Sequence, residues 1–254
     1  MLQGQPITLE YKMSPGEVLE YHTQVESEQS LKEEGQFEAT IRSVLEMKME
    51  QKVLDVTGGL AKIDVTIQEG KILREGETME LPAVGQTIQI TMKRNGDIVK
   101  TSVDFPFSQP AFPDRVLKVN DKWTGDSQMD IPLMDENGQQ AGTKSVTLTY
   151  HYTLAGFDRV AGYDVALIQV ECPQTSIEVQ PEVNQSIVAS GKTFFAHREG
   201  RLIKSNVETR TRITAPGAEV STHIKVAVDL VNTPAPTGSI PNVGGGDEHF
   251  IIGA

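Results

Sequence analysis

Phe37-Glu-Ala-Thr-Ile-Arg-Ser-Val-Leu-Glu-Met-Lys-Met-Glu-Gln-Lys-Val53 alternates over its whole length. The odd positions Phe37, Ala39, Ile41, Leu45, Met47, Met49 and Val53 are apolar, with Ser43 and Gln51 among them. The even positions Glu38, Arg42, Glu46, Lys48, Glu50 and Lys52 are charged. A period of two marks a half-buried β-strand, because successive side chains point to opposite faces of a sheet. A helix would mix these classes around its circumference. The local Met, Glu, Lys and Gln content favours helix, but the sorting of faces is the stronger signal. As one strand the segment would run about 55 Å at ~3.3 Å per residue, so a bend or bulge is expected in it.

The same alternation recurs outward from this stretch. Ala61, Ile63, Val65 and Ile67 share a face, as do Val146, Leu148, Tyr150, Tyr152 and Leu154, and Val220, Ile224, Val226, Val228 and Leu230. No segment requires a helix. The fold class is therefore all-β and antiparallel, with long curved strands of sandwich or half-barrel type. Phe37, Ile41, Leu45, Ile63, Val65, Val99, Val103, Tyr150, Ile168, Val207, Ile224 and Val226 are the expected core. Asn95-Gly96 predicts a type I′ hairpin turn, with both central residues at positive φ. Glu199-Gly200 is a weaker version. Glu26 to Gly35 reads as an acidic hairpin tip or loop.

Two segments match at an offset of 104 residues. Arg94 to Asp104 and Arg198 to Glu208 share the pattern R-x-G-x-[IL]-[VI]-K-[ST]-x-V-[DE], and the same offset lays Pro15–Leu19 over Val119–Trp123. This suggests an internal duplication. Residues 1–104 are then a first β-lobe, 105–118 a Pro- and Phe-rich connector, 119–231 a second β-lobe, and 232–254 a Pro/Gly-rich linker with an apolar tail. Phe105, Phe107 and Phe112 in the connector either cover an open end of the core or form a lid over a ligand.

Composition narrows the function. The 254 residues carry a net charge of −12 and a pI near 4.9, with Lys and Arg scattered, which disfavours nucleic-acid binding. The single cysteine, Cys172, excludes an intrachain disulfide framework and a Cys-based zinc cluster. No run approaches the ~18 apolar residues of a transmembrane helix. MLQGQPITLEYK shows neither a basic n-region nor an apolar h-region, so either the chain is cytoplasmic or a leader has been removed.

Catalytic motifs are missing. Gly191-Lys192-Thr193 resembles the end of a phosphate loop, but Ser186 stands where that motif needs glycine. His22, His151, His197, His223 and His249 show no metal-ligand spacing. Asp135-Glu136-Asn137-Gly138 reads as a turn and not as a calcium loop. Cys172 continues the apolar series Ala166, Ile168, Val170 and reads as an inert buried thiol. No enzyme activity, cofactor or metal is expected.

Gly16-Glu17-Val18-Leu19-Glu20-Tyr21 and Val119-Asn120-Asp121-Lys122-Trp123 open the two halves. Over about residues 7 to 231 the layout resembles a family of secreted bacterial β-rich proteins of unknown function, often lipoproteins. Their halves open with Gly-Glu-x-aromatic or Val-Gly-Asp-x-Trp. Here Asn120 replaces the glycine of the second phrase, and the leader and lipid-attachment cysteine are absent. The resemblance implies an extracellular or cell-envelope setting and supplies no catalytic residues.

After Val231 the alternation stops. A Pro- then Gly-rich linker leads to Phe250, Ile251 and Ile252, which an exposed tail would not keep without a docking surface. They are the candidate partner-binding residues, on a protein partner or a second copy of the chain, with docking back on the chain's own body as the alternative. The leading expectation is a non-enzymatic envelope or extracellular protein acting by assembly or partner binding. The alternative is a carrier of an apolar ligand such as a lipid, held in a cavity of the curved sheet.

Overall fold

The computed structural model describes residues 6–34, 36–101, 109–134 and 140–231. Twelve strands follow one another: β1 (Val18–Glu33), β2 (Gln36–Thr57), β3 (Leu60–Arg74), β4 (Glu77–Glu80), β5 (Thr87–Lys93), β6 (Ile98–Thr101), β7 (Lys122–Met134), β8 (Gln140–Val160), β9 (Tyr163–Gln180), β10 (Val183–Ala196), β11 (Arg201–Ala215) and β12 (Ala218–Val231). All strand pairings are antiparallel, and no helix occurs among the described residues.

The strands form one open sheet in the order β6-β5-β3-β2-β1-β12-β11-β10-β9-β8-β7, with β4 beside β3. The two halves therefore share a sheet. Their seam is the β1–β12 pair, in register from Glu20↔Val231 to Glu33↔Ala218. The alternating stretch lies within β2, a strand of 22 residues. Its pairing with β3 slips at Lys48/Met49 and at Val53/Asp55, the bulges that so long a strand needs in order to curve.

The sheet curls until its concave face closes on itself. Leu19, Tyr21, Met47, Met49, Ile63 and Val65 from the first half share one buried cluster with Tyr152, Leu154, Ile168, Val170 and Phe195 from the second. Strands this far apart in the sheet order can meet only across a curved interior. The outer face is charged. Arg42–Glu28 (2.8 Å), Lys71–Glu46 (2.8 Å) and Lys48–Glu20 (3.3 Å) are ion pairs across neighbouring strands. Exposed pairs of this kind are each worth only ~0–1 kcal/mol; they keep the outer face wet.

One end of the curl is sealed by a strap running from Ile7 to Ser14. Ile7 N donates to Leu117 O (2.9 Å), and Leu117 N to Ile7 O (2.7 Å). Tyr11 N donates to Arg94 O (2.7 Å) and Lys12 N to Gly200 O (3.0 Å). The strap thus joins the two turns that carry the repeated R-x-G pattern. A Cβ on Gly96 would lie 2.7 Å from both Pro110 O and the Tyr11 ring, and one on Gly200 would lie 2.4 Å from Lys12 N. Both glycines also have positive φ, +95° and +67°, so backbone angle and close approach demand the same residue.

Further features recur at the 104-residue spacing. β1 and β7 begin 104 residues apart, as do β2 and β8. Ser14 N donates to Glu17 Oε2 (3.1 Å), and Lys118 N to Asp121 Oδ2 (3.0 Å). Gly16 and Asn120 have φ of +82° and +72°. Asparagine is one of the few non-glycine residues enriched in that region, which accounts for Asn120 at a position expected to be glycine. β12 extends the second half alone and makes the seam.

Several expectations need correction. Glu26 to Glu33 is strand, paired on both sides, and not loop; Glu28 meets Arg42, and Lys32 meets Glu219 at 3.6 Å. At Asn95-Gly96 only Gly96 has positive φ. Lys93 N bonds Asp97 O, which makes a three-residue loop closed by a left-handed glycine. Val99 is not core but 55% exposed, because β6 is a four-residue edge strand exposed on both faces. Ile63, Val65 and Ile168 are buried. Ile41, Leu45, Tyr150, Val207, Ile224 and Val226 point inward but are half-buried. Val103 and the Phe37 side chain lie outside the described residues.

Candidate functional site

The concave face bounds a part-open cavity of about 170 Å³ between the two halves. Met49 and Gln51 of β2, Val65 of β3 and Ile90 of β5 line one side, with Ile98 of β6. Tyr150 and Tyr152 of β8, Val170 of β9 and Thr193 of β10 line the other. The seam strands supply Tyr21, Val226 and Val228, and β11 supplies Ser205, Val207 and Thr209. Gln109 and Pro110 of the connector cap it. β10 and β11 contribute the small side chains Thr193, Ser205 and Thr209 to the lining, whereas β2 and β5 contribute Met49 and Ile90.

The cap is held from several directions. Tyr11 Oη donates to Pro110 O (3.2 Å), Phe112 N to Asn95 O (2.7 Å), and Trp123 Nε1 to Ala111 O (2.8 Å). Trp123 in turn stacks on Tyr152 with ring centroids 5.5 Å apart. The connector is thereby tied to the β5–β6 turn, to the strap and to β7.

Tyr21 Oη donates to Leu202 O (3.3 Å), and the Thr193 and Ser205 hydroxyls are 3.0 Å apart. Gln109 Oε1 is buried without a partner. Among the described residues, none of the eighteen that line the cavity is Asp, Glu, Lys, Arg or His, although 23% of the chain is charged. Burial pushes the Tyr152 phenol up to about 12, with smaller contributions from Tyr150 and Cys172. Burial also raises Tyr150 and Tyr21, the latter against the opposing pull of Arg201. At Tyr21 burial outweighs Arg201, so all three are neutral hydroxyls near neutral pH.

Among the described residues the cavity lining shows neither a nucleophile–base pair nor a metal set. Cys172 is 1% exposed, and burial raises its pKa. His197 packs on Phe157 with centroids 5.7 Å apart, and burial, then Arg198, lowers its pKa. His223 meets Glu208 (3.3 Å) at the surface. Among the described residues no three His, Cys, Asp or Glu side chains converge as metal ligands. Gly191-Lys192-Thr193 lies within β10 and opens no helix. A larger depression of about 630 Å³ is lined by Glu26, Glu171, Glu208, Lys192 and Lys225 of the outer face; it is wet and of mixed charge.

Of the residues singled out in the sequence, Phe112 is 2% exposed and fills the core, stacked on Tyr11 (5.3 Å) and edge-on to Phe195 (4.7 Å). It does not line the cavity. Phe105, Phe107, Phe250, Ile251 and Ile252 lie outside the described residues, as do Asp135–Gly138 and His249. Sequence reasoning missed Gln51, Gln109, Thr193 and Ser205. The available signal was a polar residue on the apolar face of an alternating strand, as in Met49-Lys-Gln51-Lys-Val53.

No protein-family model matches the chain, and no curated protein matches it. Among solved structures, a chain of lipovitellin from a structure of lipid–protein interactions aligns over 90% of this chain at 11% identity and a TM-score of 0.46. This chain spans only 26% of that protein's length. DynF from the dynemicin biosynthesis pathway of Micromonospora chersina aligns over 89% of this chain and 84% of its own, at 9% identity and a TM-score of 0.24. The translocator domain of autotransporter NalP from Neisseria meningitidis aligns over 85% and 89%, at 5% identity and a TM-score of 0.20. Likenesses at this level carry no functional argument. No helix among the described residues is long and apolar enough to cross a membrane, which says nothing of a β-barrel.

Proposed function

We propose that this chain is a non-enzymatic binding protein that holds an apolar ligand inside its curled sheet. The observation that carries the reading is the part-open cavity of about 170 Å³ between the halves, whose described lining carries no charge. A well-packed core leaves few voids larger than a water molecule, and an apolar void of about 150 Å³ stays dry and admits benzene. The size suits one ring or a short alkyl segment, smaller than the ~300–1,000 Å³ of sites for drug-sized ligands. An extracellular or envelope setting, which the sequence resemblance supports, is part of the same proposal.

The repeated features support a duplicated β-meander as the origin of the container. Two meanders with matching entry turns, joined through β1 and β12, give two walls, and the strap fastens both at one end.

The test is calorimetric titration of the protein with toluene, with Trp123 fluorescence as a second readout because Trp123 stacks on the cavity residue Tyr152. Saturable binding is expected, and Val226→Phe, which fills the cavity, should abolish it while circular dichroism stays unchanged. Absence of toluene binding, or binding undiminished in a folded Val226→Phe, overturns the proposal.

A further inference from the structure

We propose that the ligand is an uncharged molecule bearing a hydroxyl group, which pairs with the Gln109 carboxamide while its short apolar segment fills the cavity; this rests on the apolar-ligand reading above.

The first argument is charge. A carboxylate, phosphate or ammonium held in this space would have no counter-ion in the described lining, since none of its eighteen side chains carries a charge. Burying an unpaired ion costs far more than the contact of a short alkyl chain returns. Arg201, whose charge reaches the lining Tyr21, and Lys204 on β11 are each neutralised by a carboxylate. Arg201 is bound to Glu17 at 2.8 Å, and Lys204 to Asp229 at 2.9 Å. A fatty-acid carrier of this build would need a basic residue, and the described lining has none.

The second argument is hydrogen bonding. Thr193 and Ser205 satisfy each other, and Tyr21 is committed to the Leu202 carbonyl. Gln109 Oε1 is left buried and unpaired at the cap, and a buried acceptor without a partner is costly. A ligand hydroxyl answers this once the carboxamide turns toward the cavity that Gln109 lines. It donates to Oε1, or accepts from Nε2 if the carboxamide is turned over. Gln109 is followed by Pro110, whose carbonyl accepts from Tyr11, so the carboxamide is presented by an anchored backbone.

The test compares three six-carbon probes at pH 7: hexan-1-ol, hexanoate and n-hexane, each by calorimetric titration or by competition against toluene. Hexan-1-ol is expected to bind best and hexanoate at least about tenfold more weakly, the difference expected for an unpaired buried charge. Gln109→Leu should remove the advantage of hexanol over hexane while leaving hexane and toluene binding in place. Hexanoate binding as tightly as hexanol overturns the claim of an uncharged ligand. A preference for hexanol that survives in Gln109→Leu overturns the role of Gln109. If Gln109→Leu fails to fold, the comparison of hexanol with hexane in the unaltered protein decides, and equal affinities overturn the hydroxyl. Failure of all the probes, toluene included, refutes the cavity reading itself.

Discussion

Gly200→Ala and Gly217→Ala separate two reasons for a glycine. Gly217 has φ +76° and nothing within 4 Å of the place a Cβ would take, so alanine there meets only the left-handed backbone angle, at about 1–2 kcal/mol. Gly200 has a similar φ of +67°, but its Cβ would stand 2.4 Å from Lys12 N, 2.5 Å from Lys12 Cγ and 2.6 Å from Lys12 Cβ. The nearest of these atoms is backbone and cannot swing aside. Moving the strap costs ~1–3 kcal/mol as overpacking and a further ~0.5–1.5 kcal/mol for the Lys12 N–Gly200 O bond. Gly200→Ala should therefore cost about 2–4 kcal/mol more than Gly217→Ala. The entropy that alanine removes from the unfolded chain is common to both and cancels. Urea unfolding followed by Trp123, the only tryptophan, reads the difference as a midpoint lower by roughly 1 M. Gly96→Ala, facing Pro110 and Tyr11, should group with Gly200→Ala. Equal midpoints for the Gly200 and Gly217 variants would refute the idea that the strap is seated on the repeated turns.

Leu154→Ala, at a fully buried site, should cost ~2–5 kcal/mol, whereas Val99→Ala should stay within about 0.5 kcal/mol; comparable losses in the two would reverse the facing described for β6 and β8. Thr193→Val leaves the Ser205 hydroxyl without its partner and should cost about 1–3 kcal/mol. Adding Ser205→Ala should recover part of that loss, and a strictly additive double mutant would show that the hydroxyls do not interact. Tyr11, Tyr21, Tyr150 and Tyr152 all have pKa values raised by burial. Their contribution to stability is complete below the unfolded value of about 10. It is lost as pH rises through each folded value, which for Tyr152 is about 12, with a limiting slope of ~1.4 kcal/mol per pH unit per tyrosine. Absorbance at 295 nm should show these phenols ionising together with loss of the β-sheet circular dichroism. Ionisation of these four phenols near pH 10 with the sheet intact would contradict their burial.

Much of the fold was legible in the chain because β-sheet burial is written with a period of two, a strictly local code. Glu46, Lys48 and Lys52 alternating with Met47, Met49 and Val53 determine a strand and its faces without knowledge of any partner. The need for bulges in β2 followed from its length alone, and the R-x-G turns were visible as a repeat. Alternation reports a face and not a depth, however. Ile41 and Ile63 look alike in sequence, yet one is half-buried and the other fully, because depth depends on what lies across the concave face. The acidic run from Glu26 to Glu33 looked like a loop because its partners, Arg42 on β2 and Glu219 and Lys225 on β12, lie up to about 200 residues away. The cavity was equally out of reach. Gln51, Gln109, Thr193 and Ser205 come from four separate segments, and only the curl of the sheet and the pairing of β1 with β12 bring them around one space. Strand identity is a local property of side-chain order; the seam, the curvature and the site are set by non-local pairing and by the side-chain volumes that meet inside.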